Sequence, residues 1–146
     1  MPNLLSIGVQ TLAPFNIEKI FINAALGEEC GTIELFLPHD SNIGWITAVK
    51  EKARTGKRIN AKMESTKKHA EIYWLDLVKI DVEGFELFVL RPFLDLISAE
   101  YKPDFLVELG WGVSNPHWKE FILLANELQK RAIASMRQMA VKKVWT

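Results

Sequence analysis

The stretch Leu75-Asp76-Leu77-Val78-Lys79-Ile80-Asp81-Val82 constrains the fold most, because apolar residues occupy both of its faces. A strand of that kind is buried on two sides, as in a parallel sheet covered by helices. Glu83-Gly84 then turns the chain into a helix with apolar positions at Phe85, Phe88, Val89, Leu90, Phe93, Leu94 and Ile97. Pro92 is expected to kink or interrupt it, since proline lacks the amide and clashes with the preceding turn. Lys102-Pro103-Asp104 resets the chain, and Phe105-Leu106-Val107-Glu108-Leu109 follows as a second strand of the same character. Strand, helix and strand in so short a span predict a right-handed crossover between parallel neighbours.

Downstream, Asn115 is placed to cap a helix whose first position is Pro116 and whose apolar face is Trp118, Phe121, Ile122, Leu124, Ala125 and Leu128. Upstream, residues 19–23 and 32–37 read as strands on either side of Gly27-Glu28-Glu29-Cys30-Gly31, so a hairpin or close strand pair is expected, closed by Pro38. Residues 41–68 are basic and punctuated by Asn42, Gly44 and Gly56; a solvated surface is favoured there over an anion-binding loop. Residues 131–146 read as a continued helix or frayed tail in preference to a basic amphipathic surface.

The 146 residues are those of one domain, and 49% hydrophobic with 25% charged residues is enough apolar material for a core. Eighteen basic residues balance eighteen acidic ones, so nothing global draws the chain to nucleic acid or an anionic membrane. The single cysteine, Cys30, forms no internal disulfide and suits a reducing compartment. The N-terminus has no basic lead and no small-residue cleavage site, and no apolar run reaches the ~20 residues that span a bilayer, so a cytoplasmic location is expected.

In open parallel sheets ligands bind at the carboxyl ends of the strands, which is where Asp81 and Glu108 fall. On neighbouring strands their carboxylates would converge. Two close acids can separate their pKa values and leave one as a general base, or share a hard divalent cation such as Mg²⁺ or Mn²⁺ in a metal-dependent hydrolase that also uses Glu83. Against this, Glu83 and Glu86 sit at the start of a helix, where free amides and the dipole favour an acid in any protein. His39, His69 and His117 have no metal-ligand spacing and read as surface or satisfied histidines; Trp111, directly after the second strand, is the aromatic candidate for a pocket wall.

The run Asp76-Leu77-Val78-Lys79-Ile80-Asp81-Val82-Glu83-Gly84-Phe85-Glu86, then Val89-Leu90, then Lys102-Pro103 ahead of Phe105-Leu106-Val107-Glu108, resembles the central signature of FkbM-type methyltransferases. Upstream, Asn23-Ala24-Ala25-Leu26-Gly27, with Gly31 and Ser41-Asn42, is similar to the segment after the third strand of that domain; the match spans roughly residues 17–128. The resemblance implies an α/β fold of Rossmann-like methyltransferase type, mainly a parallel sheet with flanking helices. It implies S-adenosylmethionine as cofactor and O-methylation of a sugar or related small hydroxyl compound, with a non-catalytic binding or assembly module as the alternative. Asp81 and Glu83 would stand beside the transferring methyl, Glu108 would join them, and Asn23 and Ala24 would border the adenine. No metal ligand set is implied. The glycine-rich turn and the acid-ended second strand of such a domain have no counterpart before Lys19, and residues 65–67 stand where a threonine-leucine-aspartate stretch is expected. Residues 1–146 are therefore expected to form a single, incomplete domain whose sheet rearranges, stays open, or is completed by self-association or by a chain supplying strands.

Overall fold

A computed structural model describes residues 4–38, 43–53, 56–98, 100–109, 111–133 and 140–143. In chain order its regular elements are α1 (Leu4–Leu12), β1 (Ala25–Gly27), β2 (Gly31–Phe36), β3 (Arg58–Ser65), α2 (Thr66–Tyr73), β4 (Leu77–Ile80), α3 (Glu86–Leu90), α4 (Phe93–Leu96), β5 (Asp104–Leu109), α5 (Trp118–Ile133) and β6 (Ala140–Lys143). They make an α/β architecture with two three-stranded sheets, ordered β1-β3-β2 and β4-β5-β6.

The second sheet is all parallel, with Leu77 opposite Asp104 and Ile80 opposite Val107 across β4 and β5, and Leu106 opposite Ala140 across β5 and β6. The two strands pair in parallel as expected, and β5 alternates fully and partly buried positions along its length, but β4 is not buried on both faces: Leu77 and Lys79 are exposed and only Ile80 is fully buried. Pro92 does interrupt the connecting helix: α3 ends at Leu90 and α4 begins at Phe93. Leu90 and Phe93, on either side of the break, are completely buried, together with Val107 of β5 and Leu128 of α5. Each such side chain contributes about 1.5–3 kcal/mol by leaving water, so the core centres where α3, α4 and α5 meet the parallel sheet. On α5, Trp118, Phe121, Leu124, Ala125 and Leu128 face that core, but Ile122 is exposed.

The first sheet departs from expectation. Residues 19–23 form no strand; the strand starts at Ala25, and Ile20 and Ile22 remain exposed. The hairpin is not made either, because β3 lies between its two arms, parallel to β1 with Ala25 opposite Met63 and antiparallel to β2 with Phe36 opposite Arg58. β3 and the first three residues of α2 fall in the stretch read as a solvated basic surface. Residues 140–143, within the expected helix or tail, are instead the outer strand of the parallel sheet.

The two sheets share one core. Leu26 of β1 packs against the buried cluster around α3, and a Cβ on Gly27 would lie 3.6 Å from the Phe85 ring. Arg91 adds a polar tie, its Nη1 donating to Glu28 at 2.6 Å and its Nη2 to Glu120 at 3.0 Å. No helix among the described residues is long and apolar enough to cross a membrane.

Candidate functional site

The turn after β4 is held from three directions. Gly84 has φ +99°, a conformation side chains rarely adopt, and an added Cβ would stand 2.3 Å from Cζ3 of Trp111. Glu83, also at positive φ (+48°), accepts at its carbonyl a hydrogen bond of 2.7 Å from Thr47 Oγ1. Asn115 Nδ2 donates to the Gly84 carbonyl at 3.0 Å, while Asn115 Oδ1 accepts from His117 N–H at 2.9 Å ahead of α5. The expected cap is therefore present and does a second job that spacing along the chain could not reveal.

Glu86 opens α3 and is 3% exposed; its carboxylate accepts the Gly84 N–H at 2.8 Å. Burial pushes its carboxyl above the ordinary range, against the lowering effect of hydrogen bonds from Gly84 and its own amide, with the Asp81 charge adding to the rise. The helix-start role weighed for Glu86 is the one its contacts describe.

Asp81 lies just past the carboxyl end of β4 and remains 43% exposed at its side chain, paired with Lys79 Nζ at 2.9 Å. Glu108 is half-buried on β5, opposite Lys142 of β6, and one further step of the β4–β5 register brings Asp81 level with it. Both acids act on Lys79: the Asp81 hydrogen bond, then the Asp81 and Glu108 charges, hold its ammonium above the usual lysine range despite some desolvation. Glu83 is half-buried on the turn. Among the described residues, no group of three or more His, Cys, Asp or Glu side chains is arranged to hold a metal ion, so Asp81, Glu83 and Glu108 do not form the divalent-cation cluster weighed for a hydrolase.

A cleft of about 570 Å³ opens between the two sheets, a volume suited to a small organic molecule. Val78, Lys79, Ile80, Asp81 and Val82 line it without a gap, as do Ala24, Ala25 and Leu26. Successive strand side chains point to opposite faces, so an unbroken run means that the strand edge itself borders the cleft. Among the described residues β4 pairs only with β5 and β1 only with β3, which leaves both of these edges unpaired. Of the residues singled out from sequence, Asp81 and Ala24 meet in this cleft; Asn23, beside Ala24, is exposed, and Glu83 and Glu108 lie outside its lining. Trp111 packs over Gly84 on a different, much smaller hollow, with Lys52 Nζ 5.0 Å from its ring centroid.

The far wall is α2, which contributes Thr66, His69 and Ala70. His69 Nε2 is 2.5 Å from Glu64 Oε2, a pairing hidden in the sequence because it spans the junction of a strand and a helix that were both read as surface. Its trace was the alternation of Ile59, Ala61 and Met63 with polar residues, the mark of a strand that runs to Ser65. No family model, curated protein or solved structure matches this chain.

Proposed function

We propose that the chain is the acceptor side of an S-adenosylmethionine-dependent methyltransferase of Rossmann-like type, one that methylates the hydroxyl of a sugar or related small molecule. The observation that carries this reading is the meeting of Asp81 and Ala24 on the walls of one cleft at the carboxyl end of a parallel strand. The lining suits the nucleoside end of the cofactor: Leu26, Val78 and Ile80 offer apolar surface to a flat base and Asp81 offers a carboxylate to hydroxyl groups. When bound, the cofactor would supply an electrophilic methyl group. This chain's part is to hold the acceptor by apolar contact and to take a hydrogen bond, then the proton, from its hydroxyl at Asp81, whose carboxylate accepts from Lys79 Nζ at 2.9 Å.

A second reading, the non-catalytic binding or assembly module, is favoured by the two unpaired strand edges that border the cleft. Main-chain amides and carbonyls left open on an edge are a template for a further strand, from a second copy or from another chain. Titration calorimetry with S-adenosylmethionine separates the two. Saturable heat below millimolar cofactor is the expected result for the enzyme. Absence of heat at several millimolar overturns cofactor binding by the chain alone and leaves the assembly module.

A further inference from the structure

Three buried side-chain polar atoms among the described residues have no hydrogen-bond partner, and two of them, Thr66 Oγ1 and His69 Nδ1, belong to residues on the same wall of the cleft. Unpaired buried polar atoms are uncommon in folded proteins and each one calls for a reason. Thr66 and His69 are three residues apart on α2, so they share one face of that helix. Thr66 is only 3% exposed.

The imidazole is pre-oriented. The Glu64 and His69 side chains are 13% and 14% exposed, and Glu64 is held below the ordinary carboxylate range first by the hydrogen bond from Lys62 and then by that from His69. An ionised carboxylate only accepts, so Nε2 carries the proton and donates to Glu64. In the neutral ring Nδ1 is then an acceptor, fixed in direction by the carboxylate behind it. Three residues earlier on the same helix face, the Thr66 hydroxyl can both donate and accept. Packing alone accounts for the ring's position, 6.1 Å from Tyr73 and parallel to it, but not for the choice of an oriented histidine and a threonine in a cleft whose lining also includes Ala70, Leu75 and Val89.

The geometry points to a hydroxyl-recognition site: the cleft takes a flat, mostly apolar molecule bearing a hydroxyl group, which donates to His69 Nδ1 and accepts from Thr66 Oγ1. The site deepens the acceptor-side reading and rests on it only in using the same cleft; it needs neither cofactor nor methyl transfer. Both polar atoms are buried, so a ligand reaches them with a local shift of the α2 side chains.

The test uses the full chain with 2-naphthol as probe and naphthalene as its hydroxyl-free control, each titrated by fluorescence. Satisfying two otherwise unpaired groups should make 2-naphthol bind at least about tenfold more tightly than naphthalene. Thr66→Val and His69→Gln should each bring that ratio down to within about threefold, leaving naphthalene binding unchanged. Long-range ¹H–¹⁵N spectra of the wild-type histidines should show the Nε2–H form of His69, with its Nδ1 resonance moving on 2-naphthol addition and not on naphthalene addition. Equal affinity of the wild-type chain for the two probes, or a ratio that survives both substitutions, overturns the proposal. Because the wild-type comparison and the spectra need no variant, a substitution that fails to fold leaves the outcome decided. Cofactor calorimetry is a separate titration, so either reading can fail alone.

Discussion

Gly84→Ala is the substitution that most directly tests how the β4–α3 turn is built. At φ +99° a residue with a Cβ incurs backbone strain, about 1–2 kcal/mol even in the more tolerant left-handed helical region. The added atom would also lie 2.3 Å and 2.7 Å from two carbons of the Trp111 ring and 3.1 Å from Val49 Cγ2. The ring can move only by giving up its contact with Gly84 and its place under Lys52, so an overpacking cost of about 1–3 kcal/mol applies as well. The sum, about 2–5 kcal/mol, is a large share of the ~5–15 kcal/mol that holds a typical domain together. Urea unfolding should show the midpoint falling by about 1–2 M with its slope unchanged. Gly31→Ala, whose new methyl would meet nothing within 4 Å, serves as the control and should shift the midpoint little. In a Trp111→Ala background the ring clash is gone, leaving the backbone term of about 1–2 kcal/mol and the tight approach to Val49, so the cost should fall below that in the wild-type background. A cost below about 1 kcal/mol in the wild-type background, or equal costs in both backgrounds, would refute the reasoning.

Glu86→Gln should stabilise the chain increasingly as pH rises. Burial raises the Glu86 carboxyl in the folded state, so the folded chain keeps that proton to higher pH than the unfolded one and loses stability as pH climbs through the folded value; a gap between variant and wild type that stays constant from pH 4 to pH 8 in denaturant titrations would contradict this. Phe93→Ala, at a position with no exposure, should cost about 3–5 kcal/mol by urea unfolding, and a cost under ~1.5 kcal/mol would mean that the site collapses around the loss. Arg91→Ala breaks two ion pairs whose side chains are all at least 37% exposed, so thermal melts should report less than about 1 kcal/mol, shrinking further in 1 M salt.

β4 and β5 were legible because apolar residues fall on both of their faces and the helices beside them carry a contiguous apolar stripe; Ile80, Phe105, Val107 and Leu109 could hardly be anything but core, whereas β6, half of it lysine, was not legible. The first sheet was not, since β3 is mostly exposed and strands of that kind carry only alternation, which Lys62 and Arg58 disguise as a charged surface. Residues 19–23 failed for the opposite reason. Ile20, Phe21 and Ile22 have the β propensity of a strand, but propensity yields to the availability of a partner, and β1 finds β3 two residues later. Of the candidate site, Asp81 could be placed by the rule that strand ends carry function, and Ala24 only through the family resemblance. His69 and Thr66 could not, because their shared wall exists only once β3 turns into α2.

The same contacts divide the run 79–86 into residues that serve the fold and one that does not need to. Gly84 answers to Trp111, Glu86 to the Gly84 amide, Glu83 to the Thr47 hydroxyl through its carbonyl, and Ile80 to the core. A sequence likeness at those positions therefore speaks first for a way of turning from strand to helix. Asp81 is different: half-exposed and paired with an exposed lysine, Lys79, it borders the cleft without supporting it. Asp81→Asn should consequently change stability by less than about 1 kcal/mol, the range of exposed ion pairs. Any loss of methyl transfer or of hydroxyl-acceptor binding in that variant would then belong to the site and not to the fold. If Asp81→Asn instead unfolds the chain by several kcal/mol in urea, the acid is a structural element like its neighbours, and the strand-end argument for catalysis has no residue left to stand on.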